Sequence, residues 1–219
     1  MDISKINDIL TNGIATDAFV ADLNYHIFRK IYNRNAEINQ LDKPERTLFN
    51  YLLGNSKEKT VLHLAKIYDN KSKYDTRCLP EVIKILQQNK PTVSENVFTK
   101  DNWIEFQKNY KVIFDYVEFK NEITINNFID YFNRVFKKVK KQQSYKNLKI
   151  WRDKILAHNE NYDSTDLIIG YEELEFLLKI PKAIIEFTNH FGNTESIIFP
   201  IDAESDAYFI DHLIEKYIE

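Results

Sequence analysis

The chain has 219 residues, of which 43% are hydrophobic and 29% are charged, and its formal net charge at pH 7 is −3. This length and composition allow one good hydrophobic core, so we expect a single folded domain over residues 1–219. Only four glycines and five prolines occur, whereas 28 residues are Phe or Tyr. These counts exclude a disordered or fibrous chain and favour a compact, mostly helical one.

Cys78 is the only cysteine, which excludes a disulfide framework and a thiolate metal site and fits a reducing cytoplasm. The chain has no run of 18 uncharged apolar residues and no apolar N-terminal stretch, so we expect neither a membrane span nor a signal peptide. No two histidines have zinc-ligand spacing, and the glycines form no phosphate-binding loop. We therefore expect no metal and no cofactor.

Apolar residues recur at helical spacing along the N-terminal part of the chain. The first such stretch covers residues 17–32, and Thr16 is a candidate cap for it. A second stretch covers residues 57–69. A short helix is predicted over about 79–89, because Pro80 stands near its first position, where proline is favourable.

Residues 92–169 contain neither Gly nor Pro, which is typical of a helical bundle. Two apolar stripes of equal length begin at Trp103 and Ile125. They predict two packed, antiparallel helices, for which Thr99 and Thr124 are candidate caps. We interpret the aromatic residues at this spacing as core rather than as platforms for base stacking.

A third helix is predicted over about 144–157 and a fourth over about 171–191. Pro181 should kink the fourth helix, because proline removes one backbone hydrogen bond and crowds the preceding turn. A terminal helix is expected around 207–218. Together these elements predict an all-α fold whose core bundle covers about 95–192.

Basic residues are concentrated in one segment. Residues 131–157 hold nine Lys or Arg against one acid, a net charge of +8, whereas the rest of the chain is at −11. Such a segment can attract and position the phosphates of a polyanion. It can equally be a solvated helix face whose long side chains lie over the bundle. The lysines concerned are Lys137, Lys138, Lys140, Lys141, Lys146, Lys149 and Lys154.

Arg152 and His158 are six residues apart at the predicted helix end, with Asp153 after the arginine and Ala157 before the histidine. On a continuing helix the two side chains would point about 120° apart. If the helix ends at Ala157, His158 can turn toward Arg152. Alternatively, His158 interacts with the helix dipole, and Arg152 forms a surface ion pair with Asp153 or Glu160.

The residues RDKILAH, from Arg152 to His158, resemble the Arg-x(4–6)-His signature of HEPN domains. With Glu160 they are most similar to the abortive-infection AbiU-type branch, which the segment VLHLAKIYD at 61–69 also resembles loosely. The resemblance implies a HEPN-like up-down bundle of four core helices, with additional N-terminal helices and a C-terminal helix.

The resemblance also implies a metal-independent endoribonuclease of phage defence or of a toxin–antitoxin system, in which the RNA 2′-hydroxyl attacks the adjacent phosphate. His158 would then be the general acid and base, and Arg152 would stabilise the developing phosphorane charge. Asp153 would orient the site, and Asn159 and Glu160 are weaker candidates. The implied partners are RNA, a second copy in a homodimer with one composite cleft, and an antitoxin or neutralising protein.

Two other functions stay open at this point. A noncatalytic HEPN module would bind RNA or a partner protein through the same basic face, and its RNA binding would be sensitive to salt. A helical structural or oligomerisation protein would have no affinity for RNA even at low salt.

Overall fold

The structure is a computed structural model that describes residues 3–69, 77–90, 100–110, 124–156, 169–191 and 203–218. These residues form helices and connecting turns, and no strand runs through them, which confirms the predicted all-α class. In chain order the helices are α1 (Ile3–Ile9), a π-helix (Leu10–Ala15), α2 (Thr16–Asn33), α3 (Asn35–Ile38), α4 (Lys43–Ile67), α5 (Leu79–Gln88), α6 (Lys100–Asn109), α7 (Ile125–Val139), α8 (Gln143–Ile150), a second π-helix (Trp151–Leu156), α9 (Tyr171–Phe191), α10 (Ala203–Asp206) and α11 (Phe209–Ile218). None of them is long and apolar enough to cross a membrane.

The N-terminal residues wind as one helical stretch from α1 through the first π-helix into α2. The prediction that Thr16 caps a separate helix was therefore wrong. The backbone N–H of Thr16 donates to the carbonyl oxygen of Gly13, and no side chain caps this position. The sequence TNG, residues 11–13, lies within the wider turn of the π-helix and does not interrupt the helical stretch.

Two helix starts that were predicted from the sequence are confirmed. Pro80 lies in the first turn of α5, and the hydroxyl oxygen of Thr124 accepts a hydrogen bond of 3.2 Å from the N–H of Asn127 at the start of α7. The predicted helix at 57–69 is only the C-terminal half of α4, because that helix already begins at Lys43. The predicted cap Thr99, and the part of the first apolar stripe that follows Tyr110, lie outside the described residues.

One large core joins most of the helices, and its most extensive helix contact is between α2 and α4. The rings of Phe128 in α7 and Phe187 in α9 stack with centroids 3.6 Å apart. Phe106 in α6 meets Phe128 edge to face at 5.9 Å. Trp103 and Phe132 are also buried. The interpretation of these aromatic side chains as core is confirmed.

A second, smaller core lies where α11 packs on the N-terminal helices. The ion pair between Lys30 of α2 and Asp211 of α11, at 2.5 Å, borders this cluster. Its fully buried residues are Ile31, Ile38, Phe49, Ile210 and Ile214.

The fourth predicted helix is confirmed as α9, at the bounds that the sequence suggested. Glu173 accepts a 2.8 Å hydrogen bond from the N–H of Gly170 and so satisfies a backbone donor at the helix start. Pro181 lies inside the helix, which continues to Phe191. The kink expected at Pro181 stays a prediction.

Candidate functional site

Arg152 lies in the second π-helix, which continues α8 without a break. Trp151 beside it is buried, and the ammonium of Lys57 from α4 lies 5.4 Å above the centre of the indole ring. The π-helix packs against α4 and is thereby fixed to the bundle. π-Helical turns are rare and frequently occur at functional sites. The position of Arg152 in such a turn therefore supports its interpretation as a functional residue.

Two carboxylates hold the guanidinium of Arg152. One of its terminal nitrogens forms an ion pair with Asp69, and the other lies 2.5 Å from Asp153. Its Nε also donates to Asp153, at 2.6 Å. Burial by itself lowers the pKa of Arg152, but the hydrogen bonds and charges of Asp69 and Asp153 outweigh burial and raise this pKa. The arginine therefore stays charged, and two opposite charges compensate it.

Asp69 directly follows Tyr68, which closes the C-terminal end of α4. The phenol of Tyr68 is buried and donates a 2.7 Å hydrogen bond to the carbonyl oxygen of Leu177 in α9. Its ring stacks on Phe136 of α7 at 6.1 Å and meets Tyr145 of α8 edge to face at 6.0 Å. Three helices thus fix the backbone that carries the carboxylate of Asp69.

Tyr145 lies beside this ion pair. Its hydroxyl donates to the carbonyl oxygen of Tyr68 at 3.4 Å. Burial, followed by the negative charge of Asp69, raises the pKa of Tyr145, whereas the charge of Arg152 lowers it. The phenol therefore stays protonated at neutral pH and is a hydrogen-bond donor rather than a base.

The basic segment presents its lysines to solvent. Those at 137, 138, 140, 141 and 146 are exposed and Lys149 is half-buried, whereas the side chain of Lys154 lies outside the described residues. Two of them lie over aromatic rings: Lys140 is 4.6 Å from the ring centre of Phe136, and Lys149 is 5.3 Å from that of Tyr145. The predicted RNA-binding lysines thus include two whose positions are fixed by rings around Tyr68.

His158 lies outside the described residues, as do Ala157, Asn159 and Glu160. The orientation of His158 toward Arg152 therefore stays a prediction. The open alternative for Arg152, an ion pair with Asp153, is confirmed as a contact.

Sequence reasoning missed Asp69 as the second carboxylate on Arg152, and it missed the aromatic support from Tyr68 and Tyr145. A signal for Asp69 was present, because this residue ends the segment VLHLAKIYD, which resembles the AbiU-type branch. Nothing in the local sequence connected that segment with Arg152, since only the tertiary packing of α4 against the second π-helix brings them together.

Two other histidines, His63 and His26, form local contacts with acidic side chains. His63 Nδ1 lies 2.6 Å from Asp17, and His26 Nε2 lies 3.6 Å from Asp22. Across the described segments no three His, Cys, Asp or Glu side chains are grouped as a metal site would require.

The all-α class, with an arginine near the end of a basic helix and a histidine six residues later, fits a HEPN-type domain. The family model HEPN_AbiU2, described as AbiU2, matches residues 4–191 of the chain. The chain therefore belongs to the AbiU2 family of HEPN domains. Comparison with curated proteins and with solved structures found no significant match.

Proposed function

We propose that this protein is a metal-independent endoribonuclease of HEPN type that acts in phage defence or in a toxin–antitoxin system. The observation that carries the proposal is the arginine of the family motif, held in a fixed position at the end of a basic helix. Membership of an abortive-infection-related HEPN family supports RNA as the target. The charge of the segment around Arg152 supports a polyanionic ligand.

In the proposed reaction the 2′-oxygen of the RNA forms a bond to the adjacent phosphorus, and the bond from phosphorus to the 5′-oxygen breaks. A base takes the proton of the 2′-hydroxyl, and an acid returns a proton to the 5′-oxygen, so that a 2′,3′-cyclic phosphate remains. His158 is the candidate for both proton transfers, because imidazole titrates near neutral pH. Arg152 stabilises the negative charge that develops on the phosphorane oxygens.

The two carboxylates on Arg152 determine how this arginine would meet a phosphate. Asp153 is about half exposed, whereas Asp69 is fixed by the packing of Tyr68. Asp153 is therefore the partner that can swing away when an RNA phosphate approaches. Asp69 would stay in place and hold the guanidinium in its orientation, as an orienting carboxylate does for a catalytic cation.

The experiment that tests the proposal incubates total tRNA and mRNA with the purified protein in EDTA. Wild type, Arg152→Ala and His158→Ala are compared, and Arg134→Ala is the matched control, since Arg134 is an exposed arginine of the same basic segment. We expect cleavage by wild type and by the control, and a loss of at least ~100-fold in the two motif variants. Cleavage that persists in both motif variants would contradict the assignment.

A second function is favoured by one specific contact. Because Arg152 is already neutralised by Asp69 and Asp153, the chain can also be a noncatalytic module that binds RNA or a partner protein through its basic face. This candidate predicts salt-sensitive RNA binding that survives His158→Ala. Binding would weaken when Lys137, Lys138, Lys140 and Lys141 are neutralised.

The proposed ribonuclease works as a homodimer whose two motifs share a cleft, and an antitoxin or neutralising protein restrains it. Size-exclusion chromatography with light scattering tests the first part of this proposal: a dimer supports it, and a monomer at working concentration contradicts it. Copurification of a neighbouring gene product that suppresses cleavage tests the second part.

A further inference from the structure

Lys140 and Lys149 of the basic segment each lie over an aromatic ring, which fixes their positions. Lys140 follows the last residue of α7 and lies over the ring of Phe136, whereas Lys149 in the last turn of α8 lies over the ring of Tyr145. A cation above an aromatic face gains electrostatic stabilisation, and its side chain loses freedom. The two ammonium groups are therefore partly ordered before any ligand arrives.

The two supporting rings rest on one residue. Phe136 stacks on Tyr68, and Tyr145 packs against the same ring edge to face. The chain also turns tightly between the two helices, where the N–H of Gln142 donates to the carbonyl oxygen of Val139 at 2.9 Å. The end of α4 thus fixes the position of one lysine relative to the other.

The two ammonium groups carry charge that no carboxylate compensates within the described segments, where neither has an acidic oxygen within 4.0 Å. Partial burial, followed by the positive charge of Lys149, lowers the pKa of Lys140. Holding two like charges together is unfavourable unless an anion binds between them. Arg152 contrasts with them, because two carboxylates surround it.

We propose that Lys140 and Lys149 form one anion-binding subsite, which holds a phosphodiester of a single-stranded RNA beside Arg152. Lys149 precedes Arg152 by three residues in one continuous helical stretch, so the two residues lie within one turn of each other. A strand bound by Arg152 would then place its next phosphate between the two lysines. This inference rests on the proposed action on RNA and assigns the neighbouring contact to two particular residues.

The test measures binding of a fluorescein-labelled single-stranded oligonucleotide with 2′-O-methyl riboses, which cannot be cleaved by 2′-hydroxyl attack. Anisotropy titrations at several salt concentrations compare wild type with Lys140→Met, Lys149→Met and the double variant. Methionine keeps an apolar stem on each ring and removes the charge. The matched control is Lys43→Met with Lys59→Met, which removes two exposed charges of α4 that lie outside the basic segment.

If the two lysines share one phosphate, each single variant should weaken binding about tenfold, and the double variant should be little worse than either. The slope of log affinity against log salt should fall by about 0.7, the change expected for one lost contact to a single strand. The double variant with arginine at both positions should keep wild-type affinity. Losses that are additive, or no larger than those of the control pair, would overturn the subsite.

A separate assay with unmodified RNA distinguishes the failure of this inference from the failure of the proposed function. If wild type cleaves RNA and the double variant binds the oligonucleotide as tightly as wild type, the subsite is contradicted and the ribonuclease is supported. If the two substitutions weaken binding non-additively but wild type does not cleave RNA, the subsite is supported and the proposed ribonuclease activity is contradicted. If wild type does not bind the oligonucleotide at low salt, the subsite is overturned.

Discussion

Arg152 is held by a fixed carboxylate on one side and by a more exposed one on the other. Asp69 is positioned by the packed end of α4, and Asp153 is the adjacent residue in the chain. A guanidinium has five N–H donors. It can therefore donate to one carboxylate and still donate to a phosphate from its other edge. The side chain is therefore orientated in the absence of a ligand, and a phosphate would have to compete with the carboxylates for its charge.

Asp69→Asn should separate these two effects. Removing one negative charge beside Arg152 should increase the affinity for a non-cleavable RNA strand, since less charge opposes the phosphates. The rate of cleavage should fall by about 10- to 100-fold, because the guanidinium loses its fixed partner. Single-turnover rates and anisotropy titrations measure the two quantities. Asp153→Asn should have the smaller effect on the rate, and an equal effect would contradict the distinction between the two carboxylates.

Two glycines offer a matched test of packing at single residues. A Cβ atom added to Gly13 would lie 2.4 Å from Cβ of Arg77, whereas one added to Gly54 would meet nothing within 4 Å. We expect Gly13→Ala to lower the free energy of unfolding by about 1–3 kcal/mol through overpacking. Gly54→Ala should leave it unchanged or raise it by up to ~1 kcal/mol, because Gly54 lies in α4 and is exposed. Urea denaturation that ranks the two variants in the opposite order would contradict this packing.

The end of α4 organises three neighbouring helices. Tyr68 reaches α9 through its hydroxyl group and contacts aromatic rings of α7 and α8, and the next residue carries the carboxylate for Arg152. Helix packing therefore positions the charged groups of the candidate site, and no loop within the described residues is needed for this. A site built on packed helices keeps its geometry better than one built on loops.

Local features of the fold could be predicted from the sequence, whereas contacts between distant segments could not. Signals within one helix were sufficient to predict helix starts such as Pro80 and Thr124, and the apolar stripes predicted the buried faces. The first π-helix was missed, because its TNG sequence has the composition of a break and only packing against Arg77 explains the small residue. The contact between Arg152 and Asp69 was missed because it joins segments that are distant in the sequence.

A half-buried histidine of α2, His26, makes stability depend on pH. Burial lowers the pKa of His26 below its ordinary value of 6.5, and Lys182 and Arg29 lower it further, whereas the charges of Asp22 and Glu204 oppose the shift. A histidine whose folded pKa is depressed binds more protons when unfolded. The stability that it contributes is present above pH 6.5 and is lost as the pH falls toward the folded pKa.

We therefore expect the free energy of unfolding of wild type to decrease as the pH is lowered from about 6.5, the ordinary histidine pKa. His26→Gln, which cannot take up that proton, should show a smaller decrease over the same range. Urea titrations at several pH values give both slopes. Identical slopes for the two proteins would show that His26 does not contribute to this dependence.

At the scale of the whole molecule, the C-terminal helices lie beyond the part of the chain that the family model matches. The match ends at residue 191, whereas α10 and α11 cover residues 203–206 and 209–218. Here α11 supplies Ile210 and Ile214 to the second core, together with residues of α2, α3 and α4. This smaller core attaches the C-terminal segment to the side of α2 through apolar contacts.

Ile214→Ala should therefore lower the free energy of unfolding by about 2–5 kcal/mol, as expected when a fully buried isoleucine is truncated. The matched control is Glu215→Ala, one residue further along α11 and exposed, which should change stability by no more than about 0.5 kcal/mol. Thermal and urea denaturation measure both variants. Equal stability of the two variants would contradict the packing of α11 on the second core.

The central claim is that RNA is cut by attack of its own 2′-hydroxyl in a reaction that needs no metal. The measurement that tests this claim most directly uses a defined RNA oligonucleotide in EDTA, with the new 3′ end identified by mass spectrometry. A matched strand carries a single 2′-deoxyribose at the cleaved position. We predict a 2′,3′-cyclic phosphate on the product of the first strand and no cleavage of the second. A product with a free 3′-hydroxyl, or cleavage of the deoxy-substituted strand at the same bond, would contradict the account.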